Sequence, residues 1–166
     1  HGRARTMMEG IGCANAICFS PDGRAMYFAD STTRLIRRFA YDPATGEAGA
    51  GMPFYETAQN GSPDGSCTDA EGAVWNAFWC TDGGTGHIQQ IRPDGSEGLR
   101  VHVDAPQVSC ACFGGRDLDR LFITTARENM TEQDVAAHPL SGGIFVALPG
   151  SQGLTEARYA PHLFPA

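Results

Sequence analysis

Apolar and polar residues alternate in short runs along this chain, and nearly every run stops at a turn. Residues 25–30 read AMYFAD, 34–41 RLIRRFAY, 73–79 AVWNAFW, 87–92 HIQQIR, 120–127 RLFITTAR and 143–148 GIFVAL. Such runs carry β-branched and aromatic side chains that suit a pleated, half-buried surface. Between them lie Pro21, Asp22 and Gly23; Asp42 and Pro43; Ala70, Glu71 and Gly72; and Pro93, Asp94 and Gly95, all residues that set turn dihedrals. Outer strands are expected at 53–57, 99–103 and 156–159. An insertion at 128–140 carries TEQDV at 131–135, the one short helical turn the pattern predicts. No longer stretch has helical periodicity, so the fold class is all-β.

The strands repeat as units. NAICFSPDG at 15–23, DGSCTDAEG at 64–72 and SCACFGGRD at 109–117 align, each followed by a strand. Their starts at 15, 64 and 109 are 49 and 45 residues apart, a spacing that matches propeller blades of roughly 40 to 50 residues. The units cover 8–58, 59–106 and 107–161, each expected to be a four-stranded antiparallel blade. Propellers close with roughly 4 to 8 blades, so three blades leave open flanks. Two expectations follow. Either N-terminal blades are missing from this chain, or a second copy completes the ring.

Composition narrows the partners. The 166 residues carry 12 Lys and Arg against 19 Asp and Glu, a net charge of −7 with no basic run, which disfavours nucleic acid and anionic membranes. No window approaches the ~20 consecutive apolar residues of a membrane helix, and no signal peptide is visible, so a cytoplasmic setting is expected. The six cysteines form no CxxC pair, which leaves zinc-ribbon and thioredoxin readings unsupported. Cys18, Cys67 and Cys112 share one repeat column and are expected to pack between blades.

Chemistry is sought where the repeat points inward. Inner strands line a propeller's channel, so Asn15, Asp64 and Ser109, equivalent at their starts, face one axial site. Asn and Asp oxygens suit a hard divalent cation, calcium or zinc first, magnesium or manganese next. Taken singly, Asn15 and Asp64 also read as turn residues; their shared column favours the functional reading. Ser109 has no nucleophile-elbow context and enters only as a channel residue. His87, His102, His138 and His162 lack ligand spacing and read as surface or loop histidines. Asp30 and Asp69 read as strand-end or turn residues, and Trp75 and Trp79 as packing between blades.

Several motifs in order carry a resemblance: NAICFSPDGRAMYFADS at 15–31, YDPATGE at 41–47, PDGSCTDAEG at 63–72, CFGGRDLD at 112–119, FITTAR at 122–127 and GGIF at 142–145. Together they resemble the SMP-30/gluconolactonase/LRE-like family, in its C-terminal half. The resemblance implies a six-bladed β-propeller that hydrolyses sugar-acid lactones with one divalent cation in its channel. Under it, Asn15 and Asp64 match metal ligands, and Asp64 also matches the base that activates water. The family's third ligand, a Glu near the N-terminus, has no match here, and most substrate contacts lie in the other half. The segment 80–87 is longer than the family's turn and ends in His87. Strictosidine-synthase and luciferin-regenerating propellers share the architecture. The alternative reading is a non-catalytic half-propeller that self-associates through its open flanks.

Overall fold

Three antiparallel sheets follow one another along the chain, as the repeat predicts. The computed structural model describes residues 5–57, 61–80 and 84–156. The first sheet holds β1 (Ala14–Phe19), β2 (Ala25–Asp30), β3 (Leu35–Asp42) and β4 (Glu47–Glu56) in sequence order. The second holds β5 (Ser62–Thr68), β6 (Val74–Trp79), β7 (His87–Ile91) and β8 (Glu97–His102), again in order. The third has β9 (Val108–Gly114), β10 (Arg120–Thr125) and β11 (Ile144–Ala147). Its expected fourth strand at 156–159, like the end of that unit at 161, falls largely outside the described residues.

Burial along each strand reports what lies on either side of its sheet. In β10, Leu121 and Ile123 are buried while Phe122 and Thr124 are exposed, the alternation of a sheet covered on one face. In β6 every residue from Val74 to Phe78 is buried, because the second sheet is sandwiched between the other two. Its two faces sort by parity. Val74 and Phe78 pack with Tyr27, Ile36 and Tyr55 of the first sheet, and Trp75 and Ala77 pack with Val108, Leu121 and Ile123 of the third. Edge-to-face rings seal both seams: Tyr55 on Phe78 at 6.4 Å and Trp75 on Phe113 at 5.7 Å between centroids.

Three details depart from the sequence reading. The outer strand of the first unit starts at Glu47, not at 53, because Gly46 takes φ 73° and brings Glu47 straight into register with Asp42. The cysteine column splits: Cys18 is buried, Cys67 half-buried and Cys112 exposed. Cys112 therefore does not pack between blades here, since its side of the third sheet has no neighbour among the described residues. His87 is no surface histidine. It lies buried on β7, stacked on Phe78 with centroids 4.6 Å apart and planes 6° apart, and burial lowers its basicity first of all. His102 is exposed and His138 half-buried; His162 falls outside the described residues.

The insertion folds as α1 (Glu132–Ala137), one residue later and slightly longer than the expected turn. Thr131 caps it reciprocally with Asp134: the Thr131 hydroxyl accepts from the Asp134 amide, and the Asp134 carboxylate accepts from the Thr131 amide.

Candidate active site

The three inner strands β1, β5 and β9 stand side by side, and each breaks register at the repeat column. In β1, Asn15 pairs with Ala29 but the next pair is Cys18 with Tyr27, and Ala16 between them takes φ 57°. In β5, Pro63 pairs with Phe78 and Ser66 with Asn76, leaving Asp64 and Gly65 opposite Ala77 alone. In β9, Ser109 lies between the pairs Val108–Thr125 and Cys110–Thr124, where the register slips again. A bulge turns a side chain away from the regular pleat and is common beside active sites. Asn15, Asp64 and Ser109 therefore share a structural device as well as a column.

Their surroundings differ. The Asn15 amide nitrogen donates to Ser31 Oγ at 2.9 Å, and the Ser31 hydroxyl donates to the Pro63 carbonyl oxygen at 2.6 Å. This relay fixes the amide's orientation and ties it to the residue preceding Asp64. Asn15 Oδ1 accepts no hydrogen bond among the described residues, so the oxygen remains as a donor to a cation. The Ser109 hydroxyl, in contrast, shares a 2.9 Å hydrogen bond with Thr124 Oγ1.

Asp64 is half-buried, and its carboxyl is pushed up to about 6, first by burial and then by the Glu128 charge, while the Gly65 amide opposes the rise. The folded chain thus holds this proton more tightly than the unfolded one. The Asp64 contribution to stability falls as pH rises from about 4 to about 6 and is level above that window. Urea midpoints of the native protein and Asp64→Asn, compared at about pH 4 and about pH 7, check this: the native protein loses stability relative to the variant at the higher pH. A relative gain would contradict the assignment.

Cys18 and Cys67 do not join this site as ligands. All six are free; burial pushes the Cys18 thiol up to about 12 and raises Cys67 as well, keeping both protonated. Among the described residues no three His, Cys, Asp or Glu side chains are grouped to hold a metal ion. Asn15 and Asp64 are thus two oxygen donors of the kind a hard cation takes, with the rest of its shell left to water or further residues. Asp30 and Asp69 act in the scaffold, each accepting amides of its own turn and also tying in a more distant segment. Asp30 accepts from the Gly12, Cys13 and Thr32 amides, and Asp69 accepts from the Glu71 and Ala73 amides.

The sequence reading missed Ser31 and Glu128. Ser31 closes the first quoted motif, yet nothing in its spacing points at Asn15. Glu128 follows β10 of the third sheet, and its charge acts on Asp64 of the second, a proximity no local pattern carries.

Comparison with known proteins places the chain. The family model for the SMP-30/Gluconolactonase/LRE-like region matches residues 1–127. L-arabinolactonase of Azospirillum brasilense is 41% identical over 148 residues, 89% of this chain and 47% of the relative. The crystal structure of regucalcin from Agrobacterium tumefaciens, described as a calcium-binding protein, superposes with a TM-score of 0.89 at 34% identity, covering 96% of this chain and 53% of that one. A luciferin-regenerating enzyme superposes with a TM-score of 0.78 at 27% identity, covering 90% and 50%. The chain spans about half the length of the curated relatives it matches. With its family model matched over most of its length, the chain belongs to the SMP-30/gluconolactonase/LRE-like family.

Proposed function

We propose that this chain carries part of the active site of a sugar-lactone hydrolase, with Asn15 and Asp64 as ligands of one divalent cation at the end of a six-bladed propeller's channel. The observation that carries the reading is the bulge column: two oxygen donors on neighbouring inner strands, one oriented by Ser31 and the other half-buried. Relatives named as lactonases support the substrate class, and a relative described as calcium-binding supports the cation.

Bound at these oxygens, the cation would polarise the lactone carbonyl and increase the acidity of the attacking water. Asp64 takes the proton of that water at a carboxylate oxygen. The water oxygen bonds to the carbonyl carbon, the ring C–O bond breaks, and the proton passes to the departing ring oxygen. Asn15, held by Ser31, keeps its oxygen aimed without adding charge. Chelation tests the reading in the protein with its ring complete. Removing divalent ions is expected to abolish lactone hydrolysis and calcium or zinc to restore it; turnover that persists without metal would sink the proposal.

A second reading is favoured by the face of the third sheet that no other described residue covers, where Ile144, Val146 and Leu148 are 74%, 58% and 71% exposed. Such an unpaired apolar face recruits a partner, and a second copy of this chain would close a six-bladed ring without catalysing anything. Its solution mass would then be twice the 17.7 kDa of one chain. A monomer by light scattering would rule this out.

A further inference from the structure

A cleft of about 540 Å³ opens where the second and third sheets meet, on the same rim as Asp64, and Trp79, Gln107, Glu128, Asn129, Asp134 and His138 line it. Four separate elements build it. Trp79 ends β6 and bridges to Gln107, which leads into β9; Glu128 and Asn129 follow β10, Asp134 lies in α1 and His138 caps it.

Gln107 is the unusual member. It is only 6% exposed, its amide nitrogen donates to the Glu128 carbonyl oxygen at 2.7 Å, and its Oε1 has no hydrogen-bond partner among the described residues. Buried acceptors are nearly always satisfied, and one left over at a cleft wall marks a place where a donor is missing. The rest of the wall sets a negative charge beside this acceptor, although Trp79, Asn129 and His138 also offer N–H groups. It presents the Glu128 and Asp134 carboxylates, and none of its lining residues is Lys or Arg. A carboxylate or phosphate entering here meets like charge with no Lys or Arg among the described lining residues to pair it. A neutral group bearing several hydroxyls brings a donor for Gln107 Oε1 and carries no charge for the carboxylates to repel, and the Trp79 ring offers an apolar wall for its carbon skeleton.

We propose that this cleft binds the hydroxyl-bearing part of a neutral polyhydroxylated ligand and discriminates against its carboxylate form. Resting on the lactone reading above, it holds the uncharged lactone at the rim and releases the acid that hydrolysis produces. Gln107, Glu128 and Asp134 are its specificity residues: one supplies the empty acceptor, the others the charge that rejects the product.

The test titrates the whole chain with xylitol, a neutral polyol, and with xylonate, its carboxylate counterpart, following the Trp79 indole and Gln107 side-chain amide signals by NMR. Xylitol is expected to shift both signals saturably in the millimolar range, and xylonate to bind at least about tenfold more weakly. Gln107→Met is expected to weaken xylitol binding by about fivefold or more. The paired change Glu128→Gln with Asp134→Asn is expected to raise xylonate binding to the xylitol level while keeping the amide spectrum of the fold. No saturable xylitol shift, equal binding of the two probes, or indifference to Gln107→Met overturns the proposal. Asp64→Ala separates the two readings. It leaves xylitol binding intact if the cleft is correctly assigned, whatever it does to cation binding or hydrolysis.

Discussion

Asp64→Ala, made in the protein with its ring complete, is expected to lower lactone turnover by about a thousandfold or more and to remove the bound cation. One carboxylate holds two roles in the proposed site, as a ligand and as the acceptor of the water's proton, so its truncation removes both. The variant should fold. Asp64 lies in a bulge rather than in the regular ladder, and burial works against its charged form, so the metal-free variant is expected to be no less stable than the native chain at neutral pH. Asp64→Asn separates the roles: an amide oxygen still coordinates weakly, so cation binding falls less than turnover. Kinetics of hydrolysis beside metal content per chain check both variants. Native turnover in Asp64→Ala would rule out this carboxylate as ligand or base.

Asp69→Ala is expected to cost about 3 to 5 kcal/mol of stability, the largest effect of any polar substitution in the second sheet. Its carboxylate is 1% exposed. Oδ1 accepts from the Glu71 and Ala73 amides at 3.1 and 2.9 Å, and Oδ2 from Trp75 Nε1 and Gln90 Nε2 at 2.8 and 3.2 Å. Truncation strands four donors, two of them in the turn that joins β5 to β6. Asp69→Asn is expected to recover only the Oδ1 half, because its amide nitrogen would meet the Trp75 and Gln90 donors. Urea denaturation measures both; a loss below about 1 kcal/mol in Asp69→Ala would contradict the assigned network.

The cleft and the bulge column sit on one rim and act on different parts of the proposed ligand. The column addresses the carbonyl that is attacked, and the cleft the hydroxyls that are not. Glu128 belongs to both. Its charge helps raise Asp64, and its backbone carbonyl receives the Gln107 amide. A change in the Glu128 side chain is therefore read in xylonate binding and in the Asp64 titration together, and the paired variant above reports on both.

Much of the fold was legible because its causes are local. A run such as AMYFAD needs only alternation and a following turn to be recognised, and β2 lies at the predicted residues, Ala25–Asp30. The repeat column was legible for the same reason: a recurring pattern repeats its turns, and equivalent residues then stand at equivalent depths in each sheet. Asn15, Asp64 and Ser109 follow from that periodicity. The Asp30 and Asp69 turns follow from the preference of short carboxylates for nearby amides.

Packing between sheets was decided elsewhere. The cysteine column reads identically in all three units, yet Cys18 is buried and Cys112 exposed, because burial depends on whether another sheet stands alongside. His87 has the polarity of a surface residue, yet it lies on a strand buried along most of its length and stacks on Phe78. The Ser31 relay joins residues 15, 31 and 63, and the cleft joins 79, 107 and 138. Alternation, turn chemistry and the repeat are properties of neighbouring residues and were fixed by sequence alone, down to the candidate ligands Asn15 and Asp64. Which of those residues are buried, how Asn15 is oriented and what surrounds Gln107 depend on contacts between distant segments, and only the stacking of the three sheets decided them.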